Sequence, residues 1–362
     1  MSSKGYLVLE TGDVFSGKWN GGTARAGEIV FNTSHSGYEE MATDPSYFSQ
    51  ILVASAPMQG NYGVDDEVWE SSQVHIRGFV CLEIQNTSRE NSWLKRLTHK
   101  QVPVLSEVDT RALILTLREK GTTWGAIVEA EDAQEALGKS KQLIEQARKK
   151  EKDWVNLVSV KEPTTFKGQN PQGPRIAVMD FGSKMNIIRE LQQRCSEVCM
   201  FPSRTSAAEI MEWSPDGLML TNGPGDPADV EHAPQTVREL VGKLPIFGIC
   251  MGHQILSLAL GFETFKLRFG HRGSNHPVKD LVLNKVYMTA QNHGYAVRMP
   301  ECPLPNAADI KITHVNLNDN TVSGIKSESL KCLSVQFHPE SHPGPNDAAL
   351  LFDYFMKEMV RG

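Results

Sequence analysis

Long apolar runs are missing from this sequence. No stretch approaches the roughly 18 consecutive apolar residues that a membrane-spanning helix needs, so a helical membrane protein is excluded. Cysteine is sparse, with six residues scattered over 362, which excludes a disulfide framework and points to reduced thiols. There is no excess of positive charge. Lys and Arg number 37 against 43 Asp and Glu, a net charge of −6, which offers no electrostatic grip on nucleic acid or anionic lipid. The opening residues, Met1-Ser2-Ser3-Lys4-Gly5-Tyr6-Leu7, carry no apolar run of the secretory type. Internal repeats and low-complexity tracts are also lacking. The expected setting is cytoplasmic, with neither membrane nor nucleic acid as a partner.

What remains is an ordinary globular composition, 40% hydrophobic and 22% charged. At about 100–200 residues per domain, the length predicts two domains. Residues 1–153 read as a strand-rich α/β domain. Tyr6-Leu7-Val8-Leu9-Glu10 and Val14-Phe15-Ser16-Gly17 flank the turn Thr11-Gly12-Asp13 as a hairpin, and further strands are expected at 28–32, 51–54 and 78–82. Helices are expected over 91–97, 109–119 and 132–152, the last starting at the N-cap Asp132. Residues 154–174, polar and carrying Pro163, Pro171 and Pro174, read as a linker. In 175–362, apolar strands such as Arg175-Ile176-Ala177-Val178-Met179-Asp180, Gly217-Leu218-Met219-Leu220-Thr221 and Ile246-Phe247-Gly248-Ile249 alternate with helical stretches. That pattern predicts an α/β domain built on a mostly parallel sheet with helices on both faces.

In such sheets, functional groups collect at the C-terminal ends of the strands. Gly248-Ile249-Cys250-Met251-Gly252 has the form of a nucleophile elbow with Cys in the nucleophile's place. A side chain on a sharp strand-to-helix turn needs small neighbours two residues to either side. A thiol there also sits at a helix N-terminus, where the dipole and free N–H groups favour the thiolate. Ser334-Val335-Gln336-Phe337-His338-Pro339-Glu340 supplies a base and a carboxylate two residues apart, on the same side of an extended backbone. Read alone, Cys250 is equally a small buried residue and His338 equally a satisfied core histidine. Together they are candidates for nucleophile and base.

Other motifs fail on their own terms. Gly223-Pro224-Gly225-Asp226-Pro227-Ala228 has dinucleotide-fingerprint spacing, but its prolines remove the N–H groups that a phosphate turn needs, and a rigid turn with oxyanion donors fits better. Gly22 and Gly27 share P-loop spacing, yet Glu28 stands where the lysine is required. Cys195 and Cys199 lack a second ligand pair at zinc spacing, so no metal site is expected on this chain.

Taken together, Asn222-Gly223-Pro224-Gly225-Asp226-Pro227, Gly248–Gln254 (248–254) and His338-Pro339-Glu340, in this order, resemble the triad (class I) glutamine amidotransferases. Within them the chain is most similar to the small, glutamine-hydrolysing subunits of carbamoyl-phosphate synthetases. That likeness rests on Asp180-Phe181-Gly182-Ser183-Lys184, Phe269-Gly270-His271-Arg272-Gly273-Ser274-Asn275-His276-Pro277-Val278 and Gln291-Asn292-His293-Gly294-Tyr295. It also rests on Ser341-His342-Pro343-Gly344-Pro345 and, in the first half, on Gly37-Tyr38-Glu39-Glu40-Met41, Thr43-Asp44-Pro45-Ser46-Tyr47 and Asp109-Thr110-Arg111. Met251 and Tyr295 stand where family members often carry other residues.

The resemblance implies Cys250 as nucleophile, His338 as acid and base, and Glu340 as the group that orients it. It implies an oxyanion site at the N–H groups of Gly223 or Gly225 and of Met251. L-Glutamine would be bound by Ser46, Gly223, Gly225, Met251, Gln254, Asn292, Gly294 and Tyr295. It further implies a partner, the large synthetase subunit, docked through the first domain (1–153), in a heterodimer or an oligomer of heterodimers. This chain would carry no cofactor, ATP and a divalent metal (Mg or Mn) being held by the partner, and the carbamoyl phosphate would serve pyrimidine or arginine biosynthesis. The alternatives are the glutaminase unit of anthranilate or GMP synthesis, which lacks the first domain, and a free-standing Cys γ-glutamyl hydrolase.

Overall fold

Period-two apolar patterning organises the first half of the chain into short strands. The computed structural model describes residues 3–85, 92–149, 152–300 and 309–360, and it divides into two units, Met1–Glu151 and Lys152–Gly362. In the first unit, β1 (Lys4–Leu9) and β2 (Val14–Trp19) form the hairpin around Gly12, whose φ of 93° suits glycine. There follow β3 (Arg25–Asn32), α1 (Tyr38–Thr43), β4 (Gln50–Ala54), β5 (Met58–Gln59), β6 (Gly78–Val80), β7 (Glu83–Ile84), α2 (Trp93–His99), β8 (Val104–Ser106), α3 (Thr110–Lys120), β9 (Trp124–Glu129) and α4 (Ala133–Arg148). Seven strands close into a barrel in the order β1-β2-β8-β6-β4-β3-β9, while β5 and β7 form a separate ladder. Leu7, Ile29, Ile51, Leu105 and Ile127 are fully buried, and α4 packs Ala136 and Ile144 against Tyr6, Val8, Ala126 and Val128. The helix expected over 91–97 is α2, with residue 91 outside the described residues. The one expected over 132–152 is α4, capped by Asp132, which accepts from Glu135 N–H; it ends at Arg148, and 150–151 lie outside the described residues.

The second unit contains α5 (Trp154–Val158), β10 (Thr164–Lys167), β11 (Arg175–Asp180), α6 (Met185–Arg194), β12 (Glu197–Pro202), α7 (Ala207–Glu212), β13 (Gly217–Leu220), α8 (His232–Leu240), β14 (Ile246–Ile249) and α9 (Met251–Ala259). It continues with β15 (Thr264–Asp280), β16 (Lys285–Val297), β17 (Lys311–Asn316), β18 (Val322–Ser327), β19 (Cys332–Val335) and α10 (Leu350–Tyr354). Ten strands form one sheet, ordered β10-β12-β11-β13-β14-β19-β18-β16-β15-β17. The pairs β12–β11, β11–β13, β13–β14 and β14–β19 are parallel, whereas β15 to β18 extend the sheet antiparallel. Ile176 and Val178 face one apolar layer, with Ile187, Phe247 and Phe352. Ala177 and Met179 face the other, with Leu218, Ile255 and Leu256. Burial on both sides is why these central strands read as unbroken apolar runs.

The stretch expected as a linker, 154–174, instead forms part of the second unit. Asp153 caps α5 by accepting from Asn156 N–H, and β10 pairs antiparallel with β12 at the sheet edge. An edge strand with mostly exposed side chains has no need of apolar alternation. Within β10 itself Phe166 alone packs against the core, so this strand looks like a linker in sequence.

Candidate active site

The nucleophile candidate is built from the end of β14. Gly248 could not be any other residue, since a Cβ there would lie 2.6 Å from the Gly252 carbonyl oxygen. Gly252 is still tighter, with its virtual Cβ 2.2 Å from the Leu220 carbonyl oxygen. The chain passes so close to β13 that Gly252 N–H donates to Thr221 O at 2.8 Å. Between these glycines Cys250 takes φ 55° and ψ −102°, a conformation that costs energy for a residue with a side chain and lifts the thiol out of the strand. Its own N–H donates to Val335 O at 2.9 Å, which ties the elbow to the neighbouring parallel strand β19. The Cys250 Sγ lies 3.7 Å from the Asn292 carbonyl oxygen, buried at 1% exposure.

That neighbouring strand carries the base. Three residues beyond the end of β19, His338 N–H donates to Ala290 O of β16 at 2.9 Å. Its Nδ1 meets Glu340 Oε1 at 2.6 Å, the short contact of a charge-assisted bond. Among the described residues Nε2 has no regular hydrogen-bond partner, and it stands within electrostatic reach of the Cys250 sulfur. Burial alone would push the imidazole's pKa down. The Glu340 carboxylate and the Cys250 sulfur outweigh that and raise it to about 10. Glu340 shows the converse: burial pushes it up, but Lys184 and His338 hold it down at about 2. A charged His338–Glu340 pair is thus maintained across the neutral range, with the other ring nitrogen turned to the nucleophile.

Lys184 is the member of this constellation that sequence reading left without a role. It lies in the turn after β11, and its ammonium is 3.2 Å from Glu340 Oε1, both side chains being buried. The same ammonium donates to Ser341 O, and Asn186 Nδ2 donates to Glu340 O. The signal available in sequence was position: Lys184 follows a buried strand at the same C-terminal sheet edge as Cys250 and His338. A second residue beside the elbow has a structural part. His253 is fully buried, its Nδ1 lies 2.8 Å from Ser334 Oγ of β19, and burial drives it down to about 3, so it packs as a neutral side chain.

The remaining candidates divide between the two units. Gln254 Nε2 donates to Tyr295 O at 2.7 Å and to Gln336 Oε1 at 3.0 Å, which places Gln254, Tyr295 and the Asn292 carbonyl around the elbow. Gly294 lies on the same strand, and a Cβ there would come within 3.3 Å of the Arg272 guanidinium. In the loop after β13, a Cβ on Gly223 would lie 2.3 Å from Phe181 O, and Gly225 takes φ 88° against the Trp154 ring. Outside helices and strands, no backbone hydrogen bond from Gly223, Gly225 or Met251 N–H occurs among the described residues. Ser46 belongs to the first unit, buried in the single turn Pro45–Tyr47, with its N–H donating to Asp44 Oδ1 at 2.8 Å. Among the described residues no group of three or more His, Cys, Asp or Glu is placed to hold a metal ion.

Comparison with known proteins gives two family matches. The model described as glutamine amidotransferase class-I covers residues 177–358, and that described as carbamoyl-phosphate synthase small chain, CPSase domain, covers 7–127. The carbamoyl phosphate synthase small chain of Clostridium perfringens is 44% identical over 364 residues, spanning 98% of this chain and 99% of its own. That of Methanocaldococcus jannaschii is 42% identical over 356 residues, spanning 97% and 98%. That of Bacillus caldolyticus is 42% identical over 359 residues, spanning 98% and 96%.

Proposed function

The chain belongs to the carbamoyl phosphate synthase small chain family, its second unit being a class-I glutamine amidotransferase domain, and from that premise we propose how its residues hydrolyse L-glutamine. The observation that carries the reading is the elbow at Cys250 facing the buried His338–Glu340 pair. The Cys250 thiolate, whose proton already resides on His338, attacks the side-chain amide carbon. The C–N bond then breaks as imidazolium Nε2–H gives its proton to departing ammonia, leaving a γ-glutamyl thioester on Cys250. His338, now neutral, takes a proton from water. The resulting hydroxide displaces the thiolate and glutamate leaves. Glu340 holds one tautomer and offsets the imidazolium charge, as the carboxylate of a triad does.

The oxyanion of each tetrahedral intermediate is assigned to the N–H groups of Gly223 or Gly225 and of Met251. Gln254, Asn292, Gly294 and Tyr295 are assigned to the α-amino and carboxylate ends of glutamine. The ammonia passes to a large synthetase subunit, which makes carbamoyl phosphate with bicarbonate and ATP and holds the divalent metal, and the assembly works in the cytoplasm. The match of residues 7–127 to the CPSase domain favours this reading over a glutaminase unit of anthranilate or GMP synthesis and over a free-standing hydrolase.

The test is Cys250→Ser in the assembled enzyme. Glutamine-dependent carbamoyl phosphate formation is expected to vanish while ammonia-dependent formation survives, because the sulfur serves only the amide. Equal loss of both would make Cys250 a structural residue and overturn the assignment.

A further inference from the structure

The stretch of β16 assigned to glutamine is held by a short ladder. β15 pairs with it at His271–His293, Arg272–Asn292 and Gly273–Gln291, and the register shifts on both sides of these three rungs. Interruptions of that kind disrupt main-chain pairing, so the backbone alone fixes residues 291–294 weakly. Side chains supply the rest. His271, Gln291, His293 and Asn316 are buried, and with Asp319, whose side chain is one-third exposed, they form one hydrogen-bonded chain.

The protons of this chain can be assigned from its outer end. Asn318 N–H donates to Asn316 Oδ1 at 2.9 Å, which fixes that amide, since a backbone N–H cannot accept. Asn316 Nδ2 is therefore the donor to His271 Nδ1 at 3.2 Å and to Gln291 Oε1 at 3.4 Å. His271 Nδ1 must accept, so the ring proton sits on Nε2, 2.8 Å from Asp319 Oδ2. The carboxylate is prepared for it, because its Oδ1 accepts from Thr321 N–H at 3.1 Å and from Thr321 Oγ1 at 2.8 Å. Burial pushes Asp319 up, but the bonds from His271 and Thr321 outweigh it and hold the group below the ordinary carboxylate range.

At the inner end, Gln291 Nε2 donates to Thr289 Oγ1 at 3.0 Å, and its Oε1 lies 2.9 Å from His293 Nε2. His293 Nδ1 lies 2.6 Å from Tyr295 O, the carbonyl that also accepts from Gln254 Nε2. Burial drives His293 well below the ordinary histidine value. A neutral ring has one N–H for two oxygens, so its hold on Tyr295 depends on a Gln291 amide fixed from the far side.

We propose that Asp319 and His271 are positioning residues for glutamine: the carboxylate selects the His271 tautomer, and that tautomer orders Asn316, Gln291 and the backbone up to Tyr295. The inference rests on the function proposed above, which assigns Asn292, Gly294 and Tyr295 to the two charged ends of the substrate. Without the carboxylate, the His271 proton is free to move to Nδ1, where it meets the Asn316 N–H group, donor against donor. Asn316 then turns from Gln291 and the segment loosens. Affinity for glutamine falls, while Cys250 and His338, held by β14, β19 and Ala290, keep their proton transfers.

The experiment is steady-state glutaminase on the assembled enzyme. Asp319→Ala and His271→Asn are expected to raise the KM for glutamine about tenfold and to keep kcat within about threefold, the mark of lost uniform binding. Their double variant should be no worse than the worse single, since both cut one chain. Thr321→Val removes a different bond from the same carboxylate, so its KM should match wild type whatever its Tm. In wild-type protein labelled with nitrogen-15 histidine, the His271 signals, identified by their loss in His271→Asn, should report the neutral Nε2–H tautomer. Should Asp319→Ala fail to fold, Asp319→Asn, which keeps an oxygen but not the charge, takes its place with a smaller rise in KM. Unchanged KM in the Asp319 and His271 variants, a rise in Thr321→Val as large as theirs, or a wild-type His271 protonated on Nδ1 would overturn this inference alone. A wild-type enzyme without glutaminase activity would overturn the proposed function and this inference with it.

Discussion

Gly252→Ala puts a single methyl group where the elbow has no room. The new Cβ would lie 2.2 Å from Leu220 O and 2.6 Å from both the carbonyl carbon and the side chain of the same residue, whereas ordinary contact begins at 3.4 Å. Relief requires a relative movement of about 1 Å between the start of α9 and the end of β13, because the opposing atoms belong mainly to backbone. Cys250 lies two residues away and moves with the helix start. A displacement of that size costs on the order of 10²-fold in kcat. Overpacking of a filled interior costs about 1–3 kcal/mol, a fall in Tm on the order of 5 °C for a unit of this size. The assay is steady-state glutaminase together with thermal unfolding, with ammonia-dependent synthesis by the assembled enzyme as control. Glutaminase should fall about a hundredfold while the control holds. Wild-type kcat in Gly252→Ala would refute the claim that crowding against β13 aims the thiol.

Three further outcomes follow from the same geometry. His338→Asn should lose roughly 10²–10⁴-fold in glutaminase kcat, and Glu340→Gln should lose less, because one residue moves the proton and the other orients it; near-wild-type kcat in His338→Asn would end the triad assignment. Lys184→Met strands the buried Glu340 carboxylate beside a single cation and should destabilise the protein by about 3–5 kcal/mol in denaturant titration; a loss under about 1 kcal/mol would show the ion pair to be energetically idle. The pH dependence of kcat/KM should lack a limb at the ordinary histidine pKa of about 6.5. With His338 raised to about 10, the imidazolium that protonates ammonia persists through neutrality and is lost only as pH rises past that value, and Glu340, at about 2, stays charged throughout. An alkaline decline centred near 7 would contradict that ordering.

The parts of this molecule most legible in sequence were those where a single element decides the outcome. Ile176 to Met179 is apolar without interruption because both sheet faces are covered, and Asp132 caps α4 because its carboxylate meets Glu135 N–H three residues on. The elbow was legible for the same reason, its two glycines being demanded by contacts within a few residues of Cys250 and with one adjoining strand. Features that depend on distant pairing were not. Closure of the barrel requires β9 to meet both β1 and β3 across about a hundred residues, and nothing in β9 alone declares it. The strand Thr164–Lys167 hid among prolines because an edge position relaxes the apolar requirement. Lys184 carried no local sign of its task, which exists only because β11 and the chain after β19 end at one edge of the sheet.

The placement of Cys250 and His338 just beyond the ends of the adjacent parallel strands β14 and β19 has a consequence for how the enzyme tolerates change. Ile249 lies opposite Val335 in the β14–β19 ladder, and Cys250 N–H closes the next rung. The approach of base to nucleophile therefore starts from the spacing of neighbouring strands, about 4.8 Å in any sheet, and is completed beyond β19 by the bond from His338 N–H to Ala290 O of β16. A repeat spacing of that kind barely expands with temperature and is indifferent to what the surrounding loops contain. Loops can lengthen, shorten or change their recognition of substrate while the reacting gap keeps its calibration. The scaffold behaves like a ruler on which different binding surfaces can be mounted, and its reading is lost only when the sheet itself comes apart.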